Sequence, residues 1–152
     1  MNIDLTKIKT IMLADDDADD CTFFEDALKE VSIATELTVA KDGAALMTSL
    51  EENVPPPPHV IFLDLNMPRK NGFECLKEIR ETPKLKKIPV VIFSTTASEN
   101  AVEKTYSLGA DCYICKPNSH KLLIKAIETV LALNLWENKP QLSREKYVLA
   151  IS

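Results

Sequence analysis

The sequence predicts an α/β domain in which five parallel strands form one doubly wound sheet with helices on both faces. The first observation is a regular alternation of short apolar segments with segments of helical periodicity. The second is that most of the short segments are apolar throughout, as expected of strands buried on both sides. The third is length, because 152 residues suit one domain of this class. Right-handed crossovers then give three layers, α/β/α.

The predicted strands share an apolar or β-branched composition, and most of them run directly into a polar residue. The segment VIFLDLNMPRKNG is typical, because four apolar residues lead into Asp64 and Pro68 then rules out a longer central strand. TELTVA differs, since it alternates between apolar and polar positions like a half-buried strand. The five predicted strands cover residues 9–14, 35–40, 60–63, 89–94 and 112–116.

The predicted helices follow from the spacing of apolar residues and from residues that begin or end a helix. Asp42 is the expected N-cap of the second helix and Asn118 that of the fifth. Pro83 stops the third helix, and Gly109 closes the fourth at its C′ position. The predicted helices cover residues 18–31, 42–50, 73–81, 98–108 and 118–135.

Composition and charge restrict the classes of function. Hydrophobic residues make up 45% of the chain and charged residues 27%, which is typical of a globular protein. The formal net charge of −5 argues against nucleic acid as a partner. No apolar segment approaches the roughly 18 residues of a membrane span, and the N-terminal residues lack the apolar region of a signal peptide. We therefore expect a cytoplasmic protein without a membrane partner.

The four cysteines do not form a recognisable metal or disulfide framework. Cys112 and Cys115 make a C-x-x-C, but it lies in a predicted strand, where an odd separation sends the two thiols to opposite faces. There is no second C-x-x-C, and neither histidine has metal-ligand spacing. We interpret the cysteines as reduced thiols that behave as small hydrophobic residues.

Polar residues that follow the strands are the candidate site, because ligands of open α/β sheets bind beyond the carboxyl ends of the strands. Acids follow the first and third strands, a hydroxyl ends the fourth, and a lysine ends the fifth. If the first and third strands are neighbours, the carboxylates converge on one pocket that the lysine and the hydroxyl face. The residues concerned are Asp15, Asp16, Asp17, Asp64, Ser94 and Lys116.

Such a cluster points to phosphoryl chemistry with a divalent cation. Clustered carboxylates repel one another, and Mg²⁺ relieves the repulsion while needing few protein ligands. The metal and Lys116 would neutralise the oxygens of a phosphoryl group, and Ser94 would donate a hydrogen bond. Asp64 is the candidate nucleophile, because it is the single acid after the central strand.

A blander interpretation is that each of these residues caps a helix or solvates a loop. It accounts well for Asp17, Asp19 and Asp20. It does not account for Lys116, the only lysine that directly follows an apolar strand and one that lies opposite the acids.

The chain resembles the response-regulator receiver domains of bacterial two-component signalling. Four motifs in register carry the resemblance: the acidic pair after IMLA, then DLNMPRKNG, PVVIFST and YICKP. It covers about residues 9–135. It implies a flavodoxin-like receiver fold with strand order 2-1-3-4-5.

The resemblance also implies a magnesium site and a phosphoacceptor. Asp64 would accept the phosphoryl group. Asp16 and Asp64 would bind Mg²⁺ through their carboxylates, and Asn66 through its backbone carbonyl. Asp15 would act directly or through water. The acidic run continues to Asp20, so any of the first three acids after the first strand could contact the metal.

The remaining roles concern signalling. Lys116 would pair with the phosphate, Ser94 would move toward it, and Tyr113 matches the aromatic residue that turns inward on activation. The implied protein is not an enzyme toward other molecules. It is a stand-alone response regulator that a histidine kinase or phosphotransfer protein phosphorylates, and that then binds a downstream protein as a monomer or homodimer.

Four other interpretations fit the residues less well. A flavodoxin-like electron carrier needs a neutral loop after the first strand, and five acids would repel the flavin phosphate. Phosphatases of the haloacid-dehalogenase type need a second aspartate where Asn66 stands. Nucleotide chemistry is also disfavoured, because no nucleotide-binding glycine motif is present. A receiver that has lost phosphorylation and serves only as a binding module is the serious alternative.

We assign residues 1–135 to the receiver domain and residues 136–152 to a C-terminal extension, with no output domain. The extension contains Trp136 and ends in an almost wholly apolar run, residues 147–151. Leaving these side chains in water is unfavourable by about 1.5–3 kcal/mol for each large one. We therefore expect the extension to pack on the domain or to pair with a second copy.

Overall fold

The computed structural model describes residues 8–137 and 140–151. Residues 1–7 of the predicted domain, and residues 138, 139 and 152 of the predicted extension, lie outside the described residues. The strands are β1 (Lys9–Ala14), β2 (Thr35–Ala40), β3 (Val60–Leu63), β4 (Val90–Ser94) and β5 (Cys112–Cys115). They form one sheet in the order β2-β1-β3-β4-β5, and every neighbouring pair is parallel. The predicted fold class and strand order are confirmed.

Six helices accompany the sheet within the described ranges, and five of them connect or follow its strands. They are α1 (Ala18–Lys29), α2 (Gly43–Asn53), α3 (Gly72–Glu81), α4 (Glu99–Ser107), α5 (His120–Ala132) and the short α6 (Arg144–Tyr147). Asp42 caps α2 as predicted, since its carboxylate accepts a hydrogen bond from the backbone N–H of Ala45 at 2.7 Å. Gly109 follows α4 with φ of 96°, the left-handed conformation expected of a glycine at C′.

The boundaries of α5 differ from the prediction. Ser119, rather than Asn118, caps the helix, because its hydroxyl accepts a hydrogen bond from the backbone N–H of Leu122. The helix ends at Ala132. Asn134 then takes a left-handed conformation with φ of 50°, which cannot continue an α-helix, and residues Leu135–Glu137 form a 3₁₀ turn.

Both faces of the sheet are covered by an apolar core. Helices α2, α3 and α4 pack on one face, where Leu46 and Ile79 are fully buried. Helices α1 and α5 pack on the other, where Phe24 contacts the rings of Phe62 and Phe93 edge to face. No helix within the described ranges is both long and apolar enough to cross a bilayer. The three-layer arrangement follows from the two cores.

Three of the four cysteines are buried, as predicted for small hydrophobic residues, and Cys115 is the exception because it is exposed. All four thiols are free. Cys112 is fully buried in the core beneath α5, whereas Cys115 is exposed. The two thiols of the C-x-x-C therefore do not share a face.

The loop between β3 and α3 is fixed tightly against the end of β3. Asn71 and Glu74 form a reciprocal capping box at the start of α3. Gly72 lies so close to the strand end that a Cβ atom there would be 2.3 Å from the carbonyl oxygen of Asp64. Only glycine allows this approach. The loop thereby holds the backbone of Asp64 in place.

The C-terminal extension packs on the domain, which is one of the two outcomes predicted from the sequence. The side chain of Tyr147 is fully buried, and its hydroxyl lies 2.7 Å from Oγ1 of Thr105 on α4. Its ring centroid lies 5.0 Å from that of Tyr106 and 6.2 Å from that of Tyr113. The extension therefore inserts an aromatic side chain between α4 and β5.

The extension also continues the sheet. Val148 forms a parallel bridge with Tyr113, and the backbone N–H of Leu149 donates a hydrogen bond to the Tyr113 carbonyl at 2.9 Å. Gln141 donates hydrogen bonds from its side chain to the carbonyls of Tyr106 and Ala110. The edge of β5 is thus partly paired by the chain's own C-terminal segment.

We expect Tyr147→Ala to lower the free energy of unfolding by about 3 kcal/mol, because it empties a fully buried aromatic site. Val148 is its neighbour and is 38% exposed, so Val148→Ala should change stability by less than about 0.5 kcal/mol. Urea denaturation of both variants and the parent chain measures the difference. Equal stability of the two variants would show that the extension does not contribute to the fold in solution.

Candidate functional site

The site lies at the carboxyl edge of the sheet, where β1 and β3 end side by side. The parallel register pairs Ala14 with Leu63, so the next residue along each strand is an aspartate. The backbone N–H of Asp64 donates to the carbonyl of Ala14 at 3.0 Å, and that of Asp15 donates to the carbonyl of Ala40 at 3.1 Å. The sheet hydrogen bonds thus fix the two acidic residues next to each other.

Three carboxylates meet at this edge. Asp15, Asp16 and Asp64 each place one oxygen atom within 4.8 Å of the others. Asp15 is fully buried and Asp64 is 6% exposed, whereas Asp16 is open to solvent. Hard oxygen donors that are partly buried and open on one side suit a cation that retains some of its water. These residues could therefore hold a divalent metal ion.

Asn66 lies in the loop just beyond Asp64 and is exposed. Its backbone N–H donates to Oδ1 of Asp64 over 3.5 Å, a long hydrogen bond. Asn66 is therefore adjacent to the carboxylates, as predicted. A metal-ligating role for its carbonyl remains a prediction.

Lys116 faces the carboxylates from the end of β5. Its backbone N–H donates to the carbonyl of Ser94 at 2.8 Å, which aligns the ends of β4 and β5. Its ammonium group lies 2.8 Å from Oδ2 of Asp15 and 3.4 Å from Oδ2 of Asp64. The side chain is only 10% exposed. The predicted lysine and acids are thus brought together as ion pairs.

The environment alters the pKa of two of these groups. Burial alone would lower the pKa of the Lys116 ammonium, but its hydrogen bonds to Asp15 and Asp20 and the charge of Asp64 outweigh burial and raise it. Burial raises the pKa of Asp64, and the Asp15 charge adds to this, while Lys116 acts in the opposite direction. Lys116 is therefore a fixed positive charge beside a carboxylate that is poorly solvated.

Asp15 and Asp64 are held differently. Asp15 accepts from the backbone N–H of Asp17 at 3.0 Å on one oxygen and from Lys116 at 2.8 Å on the other. The hydrogen bonds to Asp64 span 3.4 and 3.5 Å. Because these contacts are long, the oxygens of Asp64 are the more available to an incoming group. The geometry thus agrees with the choice of Asp64 as the reactive acid.

Ser94 and Tyr113 lie next to this cluster. Ser94 is fully buried, and its hydroxyl oxygen accepts from the backbone N–H of Thr96 at 3.3 Å. Tyr113 points inward, is fully buried, and donates a hydrogen bond from its hydroxyl to the carbonyl of Thr96. Among the described hydrogen bonds, none joins the Ser94 hydroxyl to Asp64 or Lys116. The two predicted switch residues are therefore both hydrogen-bonded to Thr96, in the loop after β4.

The sequence reasoning missed one member of the site. Asp17 caps α1 as the blander interpretation proposed, since it accepts from the backbone N–H groups of Asp19 and Asp20. The Asp20 side chain, however, lies 2.9 Å from the ammonium of Lys116. The acidic run that continues to Asp20 was the available signal, but it does not specify which of these acids contacts Lys116.

Comparisons with known proteins agree with this geometry. The family model for the response regulator receiver domain matches residues 11–128. Response regulator Rcp1 of Synechocystis sp. is 37% identical over 126 residues, which span 80% of this chain and 86% of Rcp1.

Solved structures show the same relationship. The Mn²⁺-bound form of Rcp1 has a TM-score of 0.73 at 35% identity, and the match covers 89% of this chain and 99% of that one. The phosphorylated cyanobacterial phytochrome response regulator RcpA has a TM-score of 0.75 at 32% identity, with the same coverage of both chains. The chain belongs to the response regulator receiver domain family of two-component signalling.

Proposed function

We propose that this chain is a phosphoacceptor in two-component signalling. A histidine kinase or phosphotransfer protein transfers a phosphoryl group to Asp64 in a Mg²⁺-dependent reaction, and the modification switches a protein-binding face. The observation that supports this most strongly is the position of Asp64, whose carboxylate lies within 4.8 Å of those of Asp15 and Asp16 and 3.4 Å from the ammonium of Lys116.

The carboxylate cluster fits the magnesium ion that this proposal requires. Asp16 and Asp64 would bind it through their side chains, Asn66 through its backbone carbonyl, and Asp15 directly or through water. When bound, Mg²⁺ neutralises part of the negative charge that gathers on the phosphoryl oxygens during transfer. The oxygen donors within 4.8 Å of one another support this assignment, as does the Mn²⁺-bound form of the relative Rcp1.

In the transfer step, a carboxylate oxygen of Asp64 forms a bond to phosphorus while the bond from phosphorus to the donor atom breaks. The leaving group keeps the electron pair of that bond and takes a proton from solvent. Lys116 stays protonated and pairs with a phosphoryl oxygen, and Ser94 donates a hydrogen bond to another. The chain therefore acts on its own phosphorylation and dephosphorylation and is not an enzyme for other substrates.

The proposed output face consists of α4, β5 and α5. Ser94 and Tyr113 would communicate the phosphorylated state to it, because both form hydrogen bonds with Thr96 in the loop that leads from β4 to α4. The burial of Tyr113 and its hydrogen bond to the loop after β4 support this role. The C-terminal extension already occupies part of the face between α4 and β5.

The proposed partners are proteins. RcpA is a phytochrome response regulator, so a phytochrome-type histidine kinase is the first phosphoryl donor to test here. We propose a cytoplasmic setting and a protein target, with neither nucleic acid nor a membrane as partner, and either a monomeric or a homodimeric state. Binding without phosphorylation is the second candidate, and the experiments below separate the two.

We expect Mg²⁺ to raise the midpoint of thermal unfolding, because a ligand that binds only the folded state stabilises it by mass action. A concentration of 100 times the dissociation constant should add about 2.7 kcal/mol. Asp16→Asn should remove most of this gain. Asp19→Asn is the matched control, because Asp19 is exposed and its carboxylate makes no hydrogen bond within the described part of the chain. The same gain in Asp16→Asn and in the parent chain would contradict the metal site.

Asp64→Asn should abolish phosphorylation by acetyl phosphate in the presence of Mg²⁺, because the amide lacks the carboxylate nucleophile. Intact-mass spectrometry would report the mass of one added phosphoryl group on the parent chain and none on the variant. Asp26→Asn removes a carboxylate from an exposed position of α1 and should label like the parent chain. Equal labelling of Asp64→Asn and the parent chain would refute the assignment, and failure of the parent chain to label would favour the binding-module alternative.

A further inference from the structure

Asp20 stands out because it contacts the functional lysine from a helix rather than from the end of a strand. It lies in the first turn of α1, where the carboxylate of Asp17 accepts a hydrogen bond from its backbone N–H at 3.1 Å. Its own carboxylate reaches back over the sheet edge to the ammonium of Lys116 at 2.9 Å. The Asp20 side chain is 40% exposed, so the contact lies at the rim of the site.

The ammonium of Lys116 has three N–H donors and three carboxylate partners. Its distances to Asp15 and Asp20 are 2.8 and 2.9 Å, whereas its distance to Asp64 is 3.4 Å. The two short contacts lie toward β1 and α1. The lysine ammonium therefore lies closer to the carboxylates of Asp15 and Asp20 than to that of the proposed phosphoacceptor.

We propose that Asp20 is a positioning residue that holds Lys116 toward α1 and so limits the positive charge available to a phosphoryl group on Asp64. This inference rests on the proposed function. Asp20 contacts neither the phosphoryl group nor the donor. It acts through Lys116 and through its own charge.

Electrostatics gives this role a distinctive signature. A carboxylate near the cluster attracts a divalent cation, and it repels a phosphoryl group, which brings further negative charge to Asp64. Removing the Asp20 charge should therefore weaken metal binding and strengthen the binding of a phosphoryl group or its mimic. A residue that only stabilised the site would weaken both when removed.

The test is a pair of titrations on the full chain, each monitored by amide NMR. The first adds Mg²⁺ alone, and the second adds beryllofluoride, a mimic of a phosphoryl group on a carboxylate, at saturating Mg²⁺. Asp20→Asn keeps the size of the side chain and removes its charge. We expect its dissociation constant for Mg²⁺ to rise, and that for beryllofluoride to fall, each by roughly two- to five-fold, the range for a partly exposed ion pair.

Two further variants complete the design. Asp19→Asn makes the same change in net charge one residue earlier, without touching Lys116, and both of its dissociation constants should stay within about 1.5-fold of the parent values. Asp20→Glu keeps the charge, and it should restore the parent affinity for Mg²⁺ to within about two-fold.

Opposite shifts in Asp20→Asn that are absent in Asp19→Asn would support the proposal. The proposal would be overturned if the two dissociation constants of Asp20→Asn shifted in the same direction or did not shift, or if Asp19→Asn showed the same shifts. It would also be overturned if Asp20→Glu bound Mg²⁺ as weakly as Asp20→Asn. If the parent chain itself fails to bind beryllofluoride, the proposed function fails, and the Mg²⁺ titration still tests the effect of Asp20 on the metal. A Mg²⁺ affinity unchanged by Asp20→Asn would then refute the role of Asp20 by itself.

Discussion

The ion pairs of Lys116 are the interactions on which the site depends. The lysine side chain is 10% exposed and that of Asp15 is fully buried, so neither charge has enough water to replace a lost partner. Removing one member of such a buried pair typically costs about 3–5 kcal/mol, because the other charge is left uncompensated. The pairs connect β5 to the ends of β1 and β3 and to the first turn of α1. The same contacts leave more negative than positive charge at the sheet edge, which suits a site for a cation and then a phosphoryl group.

This site is linked by direct contacts to the C-terminal extension. Lys116 directly follows β5, and Tyr113 lies three residues earlier, within that strand. The Tyr113 hydroxyl donates a hydrogen bond to the carbonyl of Thr96 in the loop after β4. The backbone carbonyl of Tyr113 accepts the hydrogen bond from Leu149, and its ring contacts Tyr147. A movement of Tyr113 would therefore change its contacts both with the loop after β4 and with the extension. The extension lies on the proposed output face and shares that face with any partner that binds there.

Much of the fold could be predicted from the sequence, because apolar strands and capped helices are local signals. The predicted neighbours Asp15, Asp64 and Lys116 come together because parallel strands end at one edge of the sheet. Asp20 could not be assigned, since its contact depends on the position of α1 over the sheet edge, which helical periodicity alone does not specify. The cap of α5 at Ser119 was missed for a similar reason, because two adjacent polar residues were both good candidates.

A crystal structure of the full chain with Mg²⁺ and beryllofluoride would show whether Asp64 is the phosphoacceptor and Lys116 its partner. We expect beryllium bonded to a carboxylate oxygen of Asp64, a metal ion held by the neighbouring carboxylates, and a fluorine atom within hydrogen-bond distance of the Lys116 ammonium. Beryllofluoride bonded to another carboxylate, or a site in which Lys116 keeps its present contacts and no adduct forms on Asp64, would contradict this expectation.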